Sequence, residues 1–337
     1  MNAIFKAEKL ASGLNGLPEG LGSESYSVIS RGRRGFVACP DGYPEITVKV
    51  YSDAGGEGAC TYEFETINYA RNTSAKPLRS LPLAYAFGHL SVGSESLPAI
   101  ALETARGTTM REAGYGRLTR SDVPRRQSAS ELFGFALSLA DTLHSLRSHY
   151  IHCRVRTPDT VIVRRGSGFE PEVGGVHIML SDVMSAGFSA PTETGQDDAT
   201  MDALPFTPPE LMKPVEDIVW ANADHVDMWV YGCLVCYAAV GRFWDDWMDG
   251  RRDEDLSGSE LAMAQALKRS ALDLRSLVPG YFARPGAFPL AECVADVVMA
   301  CTNAEPLLRP DIVSVKSVLE EATGARWSAN ATMPFRH

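Results

Sequence analysis

The sequence predicts an α+β protein with two lobes, a small β-rich lobe containing one helix followed by a larger, mainly helical lobe. Two observations predict this order. The first third of the chain has five short runs rich in aliphatic and aromatic residues, separated by Gly, Pro and Asp, as strands are. Beyond residue 107, apolar residues instead recur at helical spacing in several longer segments. We therefore expect a hinge between the lobes near residues 103–107.

The predicted strands of the small lobe are short runs of four to six residues. They span residues 26–29, 35–38, 46–51, 83–87 and 99–102. One helix interrupts them at residues 60–71, where Phe64, Ile67 and Ala70 recur every third residue and define a buried face. These runs predict a small sheet with one helix.

The large lobe is predicted from its first long helix onward. Residues 128–148 place five bulky apolar side chains on one helical stripe, namely Leu132, Phe135, Leu139, Leu143 and Leu146. Two short strands at 160–164 and 176–181 follow, and then helices at 227–240, 259–270, 290–302 and 313–323. The expected organisation is an N-terminal extension over residues 1–24, the small lobe over 25–105, the large lobe over 106–325 and a tail over 326–337.

The composition excludes several classes of function. A formal net charge of −10 over 337 residues argues against nucleic acid as a partner, because nucleic-acid affinity depends on clustered cations that neutralise phosphates. The chain has neither the apolar start of a signal peptide nor a run near the ~18 apolar residues of a membrane span. We therefore expect a cytoplasmic protein with no membrane partner. Only seven of its 32 basic residues are Lys and the others are Arg. This preference for Arg over Lys is typical of proteins from high-GC bacteria.

The seven cysteines do not have the pattern of a zinc site or a disulfide framework. Their number is odd, and their spacings do not repeat as the paired CxxC sets of a zinc ribbon do. Cys233 and Cys236 form a single CxxC within a helical run, where packed core thiols are the expectation. We assign them no metal or redox role and expect a reducing compartment.

Two segments of the small lobe carry residues suited to phosphate binding. Residues 30–37 read Ser-Arg-Gly-Arg-Arg-Gly-Phe-Val, and glycines such as Gly32 and Gly35 let a backbone approach phosphates without an intervening Cβ. Taken alone, this segment is equally typical of a hairpin turn. Lys49 ends the run Ile-Thr-Val-Lys and is the only Lys in such an apolar, alternating run. A solvated Lys on an edge strand is the alternative interpretation.

Further segments of the large lobe follow in an informative order. They read His-Cys-Arg-Val-Arg-Thr-Pro-Asp at 152–159, Leu-Ser-Asp-Val-Met at 180–184, Phe-Thr-Pro-Pro-Glu-Leu at 206–211, Asp-Met-Trp-Val-Tyr-Gly at 227–232 and Leu-Arg-Pro at 308–310. Together with residues 30–49, these segments resemble in order and spacing the motif set of eukaryotic-type Ser/Thr protein kinases, over roughly residues 25–325. The resemblance implies a two-lobed protein kinase-like fold.

The resemblance also implies a nucleotide site, with ATP and Mg²⁺ as the expected cofactors. Lys49 would contact the α- and β-phosphates and would be held by Glu63 on the following helix, with Glu65 as the alternative. Asp159 and Asp182 would be the Mg²⁺ ligands. The cofactor-binding residues implied by the matched motifs are Gly32, Gly35, Val37, Lys49, Glu63, Glu103, Ala105 and Val161. In the large lobe, the same resemblance implies a structural ion pair between Glu210 and Arg309.

The chain departs from the family's pattern at the catalytic loop. Arg154 stands where the family has the Asp that accepts the substrate's hydroxyl proton, and Asp159 stands in place of the metal-binding Asn. A guanidinium cannot accept a proton at physiological pH. Two arrangements are open for Asp182, a Mg²⁺ site with Asp159 or an ion pair with Arg154. Thr47 also replaces the Ala that packs on adenine in the family.

Three functions are compatible with these residues. The leading hypothesis is a pseudokinase, which would act as a nucleotide-binding or scaffolding and regulatory protein with an unidentified protein partner. The alternative is a divergent active Ser/Thr protein kinase, or another nucleotidyl-transferring enzyme on the same fold, with Asp159 and Asp182 as the candidate catalytic or metal-binding groups. The third is a cleft without nucleotide, closed by Ser30, Thr47 and an ion pair between Arg154 and Asp182. Loss of a positioned base costs about 10²–10⁴-fold in rate, which favours the first hypothesis.

Overall fold

The chain forms two units, and among the described residues the first has a sheet with one helix and the second a sheet with several helices. The computed structural model describes residues 26–32, 35–52, 55–74, 78, 80–92, 94–113, 126–153, 157–165, 176–180, 206–212, 223–240, 271–277, 282 and 289–324. The first unit is Met1–Arg106 with Met179–Met184, and the second is Gly107–Ile178 with Ser185–His337. Among the described residues the class is α+β, with a five-stranded antiparallel sheet and several helices.

The sheet of the first unit is antiparallel throughout. Its strands are β1 (Tyr26–Gly32), β2 (Gly35–Pro40), β3 (Ile46–Tyr51), β4 (Ala84–Val92) and β5 (Glu95–Glu103), in the spatial order β1-β2-β3-β5-β4. Ile46, Val48 and Val50 are alternate residues of β3, so their side chains lie on one face of the sheet. There they are buried in one apolar cluster. The intervening residues of β3 therefore reach the other face.

One helix of the first unit, α1 (Gly56–Thr73), packs against β3, β4 and β5. Its buried face includes Cys60, Glu63, Ile67 and Ala70, which recur at the three- and four-residue spacing of one helical face. The helix begins at Gly56, before the predicted start at residue 60, because its first turn contains glycines that carry no apolar signal. It ends at Thr73, two residues after the predicted end.

The described part of the second unit is mainly helical. Its helices are α2 (Arg126–Arg147), α3 (Ala223–Val240), α4 (Leu274–Leu277), α5 (Pro289–Cys301) and α6 (Ile312–Gly324). A second sheet has the order β6-β7-β8, formed by β6 (Thr108–Thr109), β7 (Val161–Arg165) and β8 (Val176–Leu180). The apolar stripe predicted on α2 is the face that packs against α3, α5 and α6.

Helix α3 is the central element of the second unit. From Val226 to Val240 every one of its residues is buried, including Cys233 and Cys236, which are free thiols as expected of core cysteines. Gly232 allows a neighbour to come close, since a Cβ there would lie 2.6 Å from Cγ2 of Thr302. The final Gly of the Asp-x-Trp-x-x-Gly segment is therefore explained by packing against the end of α5.

The predicted elements agree with the structure except at their ends and in the shortest pieces. β6, α4 and the two 3₁₀ turns Pro209–Met212 and Pro306–Leu308 were missed, because two to four residues are too few to show a periodicity. The predicted extension at 1–24, helix at 259–270 and tail at 326–337 lie outside the described residues. No helix in the described ranges has both the length and the apolar character needed to cross a membrane.

Candidate functional site

Lys49 and Glu63 form an ion pair on one face of the first sheet. The Lys49 Nζ donates to Glu63 Oε2 at 2.8 Å, with the Lys side chain 19% exposed and the Glu side chain fully buried. This is the partner predicted in preference to Glu65. Glu65 is exposed on α1, whereas Glu63 belongs to its buried face. The alternative of a solvated Lys on an edge strand is wrong, because β3 is paired on both sides, with Lys49 opposite Val37 and Ile100.

A third side chain, Tyr51, completes this cluster. Its buried phenol O–H donates to the same Oε2 atom of Glu63, and its ring centroid lies 5.1 Å from the Lys49 ammonium. Tyr51 follows Lys49 by two residues, so both side chains leave β3 on the same face. Burial and the Glu63 carboxylate raise the pKa of the nearby Cys60 thiol to about 12, which keeps that sulfur neutral. The Lys49 ammonium therefore lies at the partly exposed edge of this cluster, next to the buried Glu63 carboxylate.

The glycine-containing segment is a tight hairpin between β1 and β2. Gly32 pairs with Gly35 across the hairpin, and Val37 lies two residues further along β2. Gly35 has φ +155°, and a Cβ there would lie 1.8 Å from the Val50 carbonyl oxygen of β3. The close approach of the β3 backbone is therefore enough to require glycine at this position, without any contribution from a ligand. Its predicted contact with phosphates stays a prediction, as do those of Gly32 and Val37.

Glu103, at the end of β5, has its contacts within the first unit. Glu103 Oε2 accepts from the Leu83 backbone N–H at 3.2 Å and lies 3.8 Å from a guanidinium nitrogen of Arg71. Thr47 and Thr104 place their hydroxyl oxygens 2.9 Å apart, which links β3 to the segment after β5. This link depends on the hydroxyl group of Thr47.

Two predicted site residues lie on the second unit. Val161 is fully buried in β7, and its carbonyl accepts from the Met110 N–H at 2.8 Å. Asp159 is half exposed, and both of its carboxylate oxygens accept from Nε of Arg111, at 2.9 and 3.0 Å. The Arg111 guanidinium also lies 5.9 Å from the ring centroid of Tyr237 on α3. The predicted Mg²⁺ ligand thus already has a cationic partner.

The segment that follows α2 is held by acids at the start of α3. The Cys153 backbone N–H donates to Asp227 Oδ2 at 3.0 Å. Nδ1 of the neighbouring His152 lies 3.5 Å from carboxylate oxygens of both Asp224 and Asp227. The contact with Asp227 raises the pKa of His152, with burial opposing it and the charge of Asp224 adding to it. The first residue of the Asp-x-Trp-x-x-Gly segment therefore anchors residues 152–153.

A buried ion pair joins two other motifs of the second unit. Arg309 donates through Nη1 to Glu210 Oε1 at 2.6 Å and through Nη2 to Oε2 at 2.8 Å. This is the pairing that the resemblance implied. The Arg309 side chain is fully buried, so the two charges need each other.

Arg154 and Asp182 lie outside the described residues, so the choice between an ion pair and a metal site at Asp182 stays open. Ala105 is described and half-buried at the end of the first unit. Within the described part of the chain, no group of three or more His, Cys, Asp or Glu side chains could hold a metal ion.

The side chains that sequence reasoning left out of these arrangements include Tyr51, Arg111 and Asp224. Only Tyr51 had a signal in the sequence, its position two residues after Lys49. Arg111 meets its partner across 48 residues, and Asp224 meets Arg147 across 77. No protein-family model matches the chain, and a search of curated proteins finds no significantly similar sequence.

Proposed function

We propose that this chain is a two-lobed, kinase-like protein of the pseudokinase type, which binds a nucleotide through its first unit and acts as a regulatory or scaffolding protein. The proposal joins two kinds of support. The motif order supplies the kinase-like fold, and Arg154 in place of the catalytic Asp removes the proton acceptor. ATP is the nucleotide that the resemblance implies.

The observation that carries the proposal is the Lys49–Glu63 pair. A buried carboxylate that fixes an ammonium on the third strand of an antiparallel sheet is the arrangement by which kinases position a Lys on the α- and β-phosphates. Here the nitrogen to oxygen distance is 2.8 Å and the ammonium end keeps 19% exposure. The side chain is thus held in place and is accessible to a phosphate.

The second unit adds structural support for the kinase-like fold. The Glu210–Arg309 pair and the hydrogen bond from Cys153 to Asp227 connect segments that resemble motifs of the kinase family. These contacts maintain the fold and perform no chemistry, so they agree with a protein that keeps the fold without the catalytic base.

Mg²⁺ does not form part of the proposal. The described residues fit it poorly, because both carboxylate oxygens of Asp159 accept from the Arg111 guanidinium. A Mg²⁺ ion there would have to displace a cation that also lies against Tyr237. We therefore propose ATP binding without a Mg²⁺ ion at Asp159, and the Mg²⁺ arms of the test address Asp182.

The test is a set of melting curves of the purified full-length protein with and without ATP, each with and without Mg²⁺. A ligand that binds only the folded state adds about 2.7 kcal/mol of stability at a hundredfold excess over its Kd, so ATP should raise the Tm. Lys49→Met should abolish the ATP-induced shift. Lys316→Met is the control, because Lys316 pairs with Asp141 at 2.6 Å near the surface of the second unit and should leave the shift intact.

Two results would overturn the proposal. The absence of an ATP-induced shift in the wild-type protein would remove nucleotide binding. Phosphate transfer to itself or to a generic protein substrate, at the roughly 1–100 s⁻¹ of ordinary kinases, would show that another group replaces the missing base.

A further inference from the structure

The carboxylate of Glu63 has two hydrogen-bond donors at one oxygen. Lys49 Nζ and the Tyr51 hydroxyl both donate to Oε2, from the same face of β3. The two donors differ in mobility. Lys49 reaches Glu63 through four methylene groups and remains partly exposed, whereas Tyr51 is 1% exposed and its ring has only two rotatable bonds.

A buried carboxylate without a partner is strongly unfavourable. Glu63 is fully buried on α1, so its charge needs at least one donor within the protein. If Lys49 were the sole donor, movement of its ammonium to a phosphate would leave Glu63 unpaired and would favour displacement of α1. The Tyr51 hydroxyl supplies a donor that does not depend on Lys49.

We propose that Tyr51 is a positioning residue that keeps Glu63, and with it α1, against β3 whether or not Lys49 is paired with Glu63. The helix then has a second attachment to the sheet that a phosphate cannot compete for. Lys49 can exchange Glu63 for a phosphate, because Glu63 retains the phenol. The nucleotide site would then be formed before the nucleotide binds, without movement of α1. This consequence rests on the proposed function.

The test compares backbone hydrogen exchange of α1 in the full-length protein and in three variants, Lys49→Met, Tyr51→Phe and the double variant. Tyr51→Phe removes only the hydroxyl and keeps the ring that contacts the ammonium. A matched control is Tyr231→Phe on α3, which removes another buried tyrosine hydroxyl, the one that donates to the Ala136 carbonyl at 2.9 Å. Melting curves establish that each variant is folded.

We expect exchange of α1 to be roughly tenfold or more faster in the double variant than in Lys49→Met, because the phenol still donates to Glu63 in the single variant and hydrogen bonds to charged groups are among the stronger ones. Tyr51→Phe alone should also accelerate exchange of α1, and Tyr231→Phe should not. The inference is overturned if Lys49→Met alone exposes α1 as much as the double variant does. It is equally overturned if Tyr51→Phe alone leaves exchange of α1 at the wild-type rate, a comparison that stands even if the double variant does not fold.

Nucleotide binding gives a second, separate readout. In the wild-type protein ATP should not accelerate exchange of α1, and Tyr51→Phe should weaken ATP binding several-fold while Tyr231→Phe does not. If the wild-type protein does not bind ATP, the proposed function fails, and the exchange comparison still decides the role of Tyr51. If ATP binds and the exchange comparison shows no effect of Tyr51, the inference fails and the proposed function stands.

Discussion

Arg309 and Glu210 lie 99 residues apart in the chain and form two parallel hydrogen bonds in the interior of the second unit. The guanidinium also donates to the His225 carbonyl at 2.9 Å and lies 5.0 Å from the ring centroid of Trp229. The pair thus fixes the segment around Glu210 to the start of α3 and to the turn before α6. Removal of one partner would leave the other charge buried.

Glu210→Gln should lower the free energy of unfolding by about 3–5 kcal/mol, because a neutral amide leaves the Arg309 charge uncompensated in the interior. Equilibrium denaturation of the purified protein measures the change. Asp141→Asn is the control, since it removes a near-surface pair with Lys316 and should cost at most about 1 kcal/mol. Equal losses in the two variants would contradict the buried character of the Glu210 pair.

Some of these contacts were predictable from the sequence and others were not. The Lys49–Glu63 and Glu210–Arg309 pairs were predicted because each acid and base belongs to a motif, and a buried charge requires a partner of opposite sign. The Arg111–Asp159 pair was not, because Arg111 stands in no motif and meets Asp159 only once β6 and β7 are paired. The strands and long helices followed from apolar periodicity, while the two-residue β6 is too short to have one.

Tyr150 adopts a left-handed backbone conformation after α2, with φ +59° and a side chain that is 70% exposed. Its N–H donates to the Arg147 carbonyl at 2.8 Å and the Ile151 N–H to the Leu146 carbonyl at 3.0 Å, the bonding pattern of a helix end that favours Gly. Tyr150→Gly should therefore raise the free energy of unfolding by up to about 1 kcal/mol. Tyr150→Ala removes the same ring without relieving the backbone and should give no gain in denaturation experiments.

Gly35 and Gly58 provide a matched pair for testing the close approach of β2 to β3. A Cβ at Gly35 would overlap the Val50 carbonyl oxygen, whereas a Cβ at Gly58, in the first turns of α1, would meet nothing within 4 Å. Gly35→Ala should cost roughly 1–3 kcal/mol or more through overpacking and positive φ. Gly58→Ala should instead stabilise the protein by about 0.5–1 kcal/mol, because Ala is the better helix former. A tolerated Gly35→Ala would contradict the observed spacing of the two strands.

His152 should make the stability of the second unit depend on pH. The contact with Asp227 raises the pKa of His152 in the folded state above its ordinary value near 6.5, with help from Asp224 and opposition from burial and Arg147. A raised folded pKa means that protonation stabilises the fold. That contribution is fully present below the unfolded pKa and is lost as the pH rises through the folded pKa. His152→Gln should therefore lower the free energy of unfolding more at about pH 5.5–6 than at about pH 8, because His changes its charge between about pH 5 and 8.

An NMR titration of the His152 ring measures the same shift directly, with His152→Gln used to assign its signal. Asp224→Asn removes one of the two carboxylates that lie 3.5 Å from Nδ1 and should lower the titration midpoint, while the hydrogen bond from Cys153 to Asp227 is kept. The ring is only 12% exposed, so solvent screens these charges weakly. A midpoint below the ordinary value would mean that burial outweighs both carboxylates, and the pH dependence of stability would then have the opposite sign.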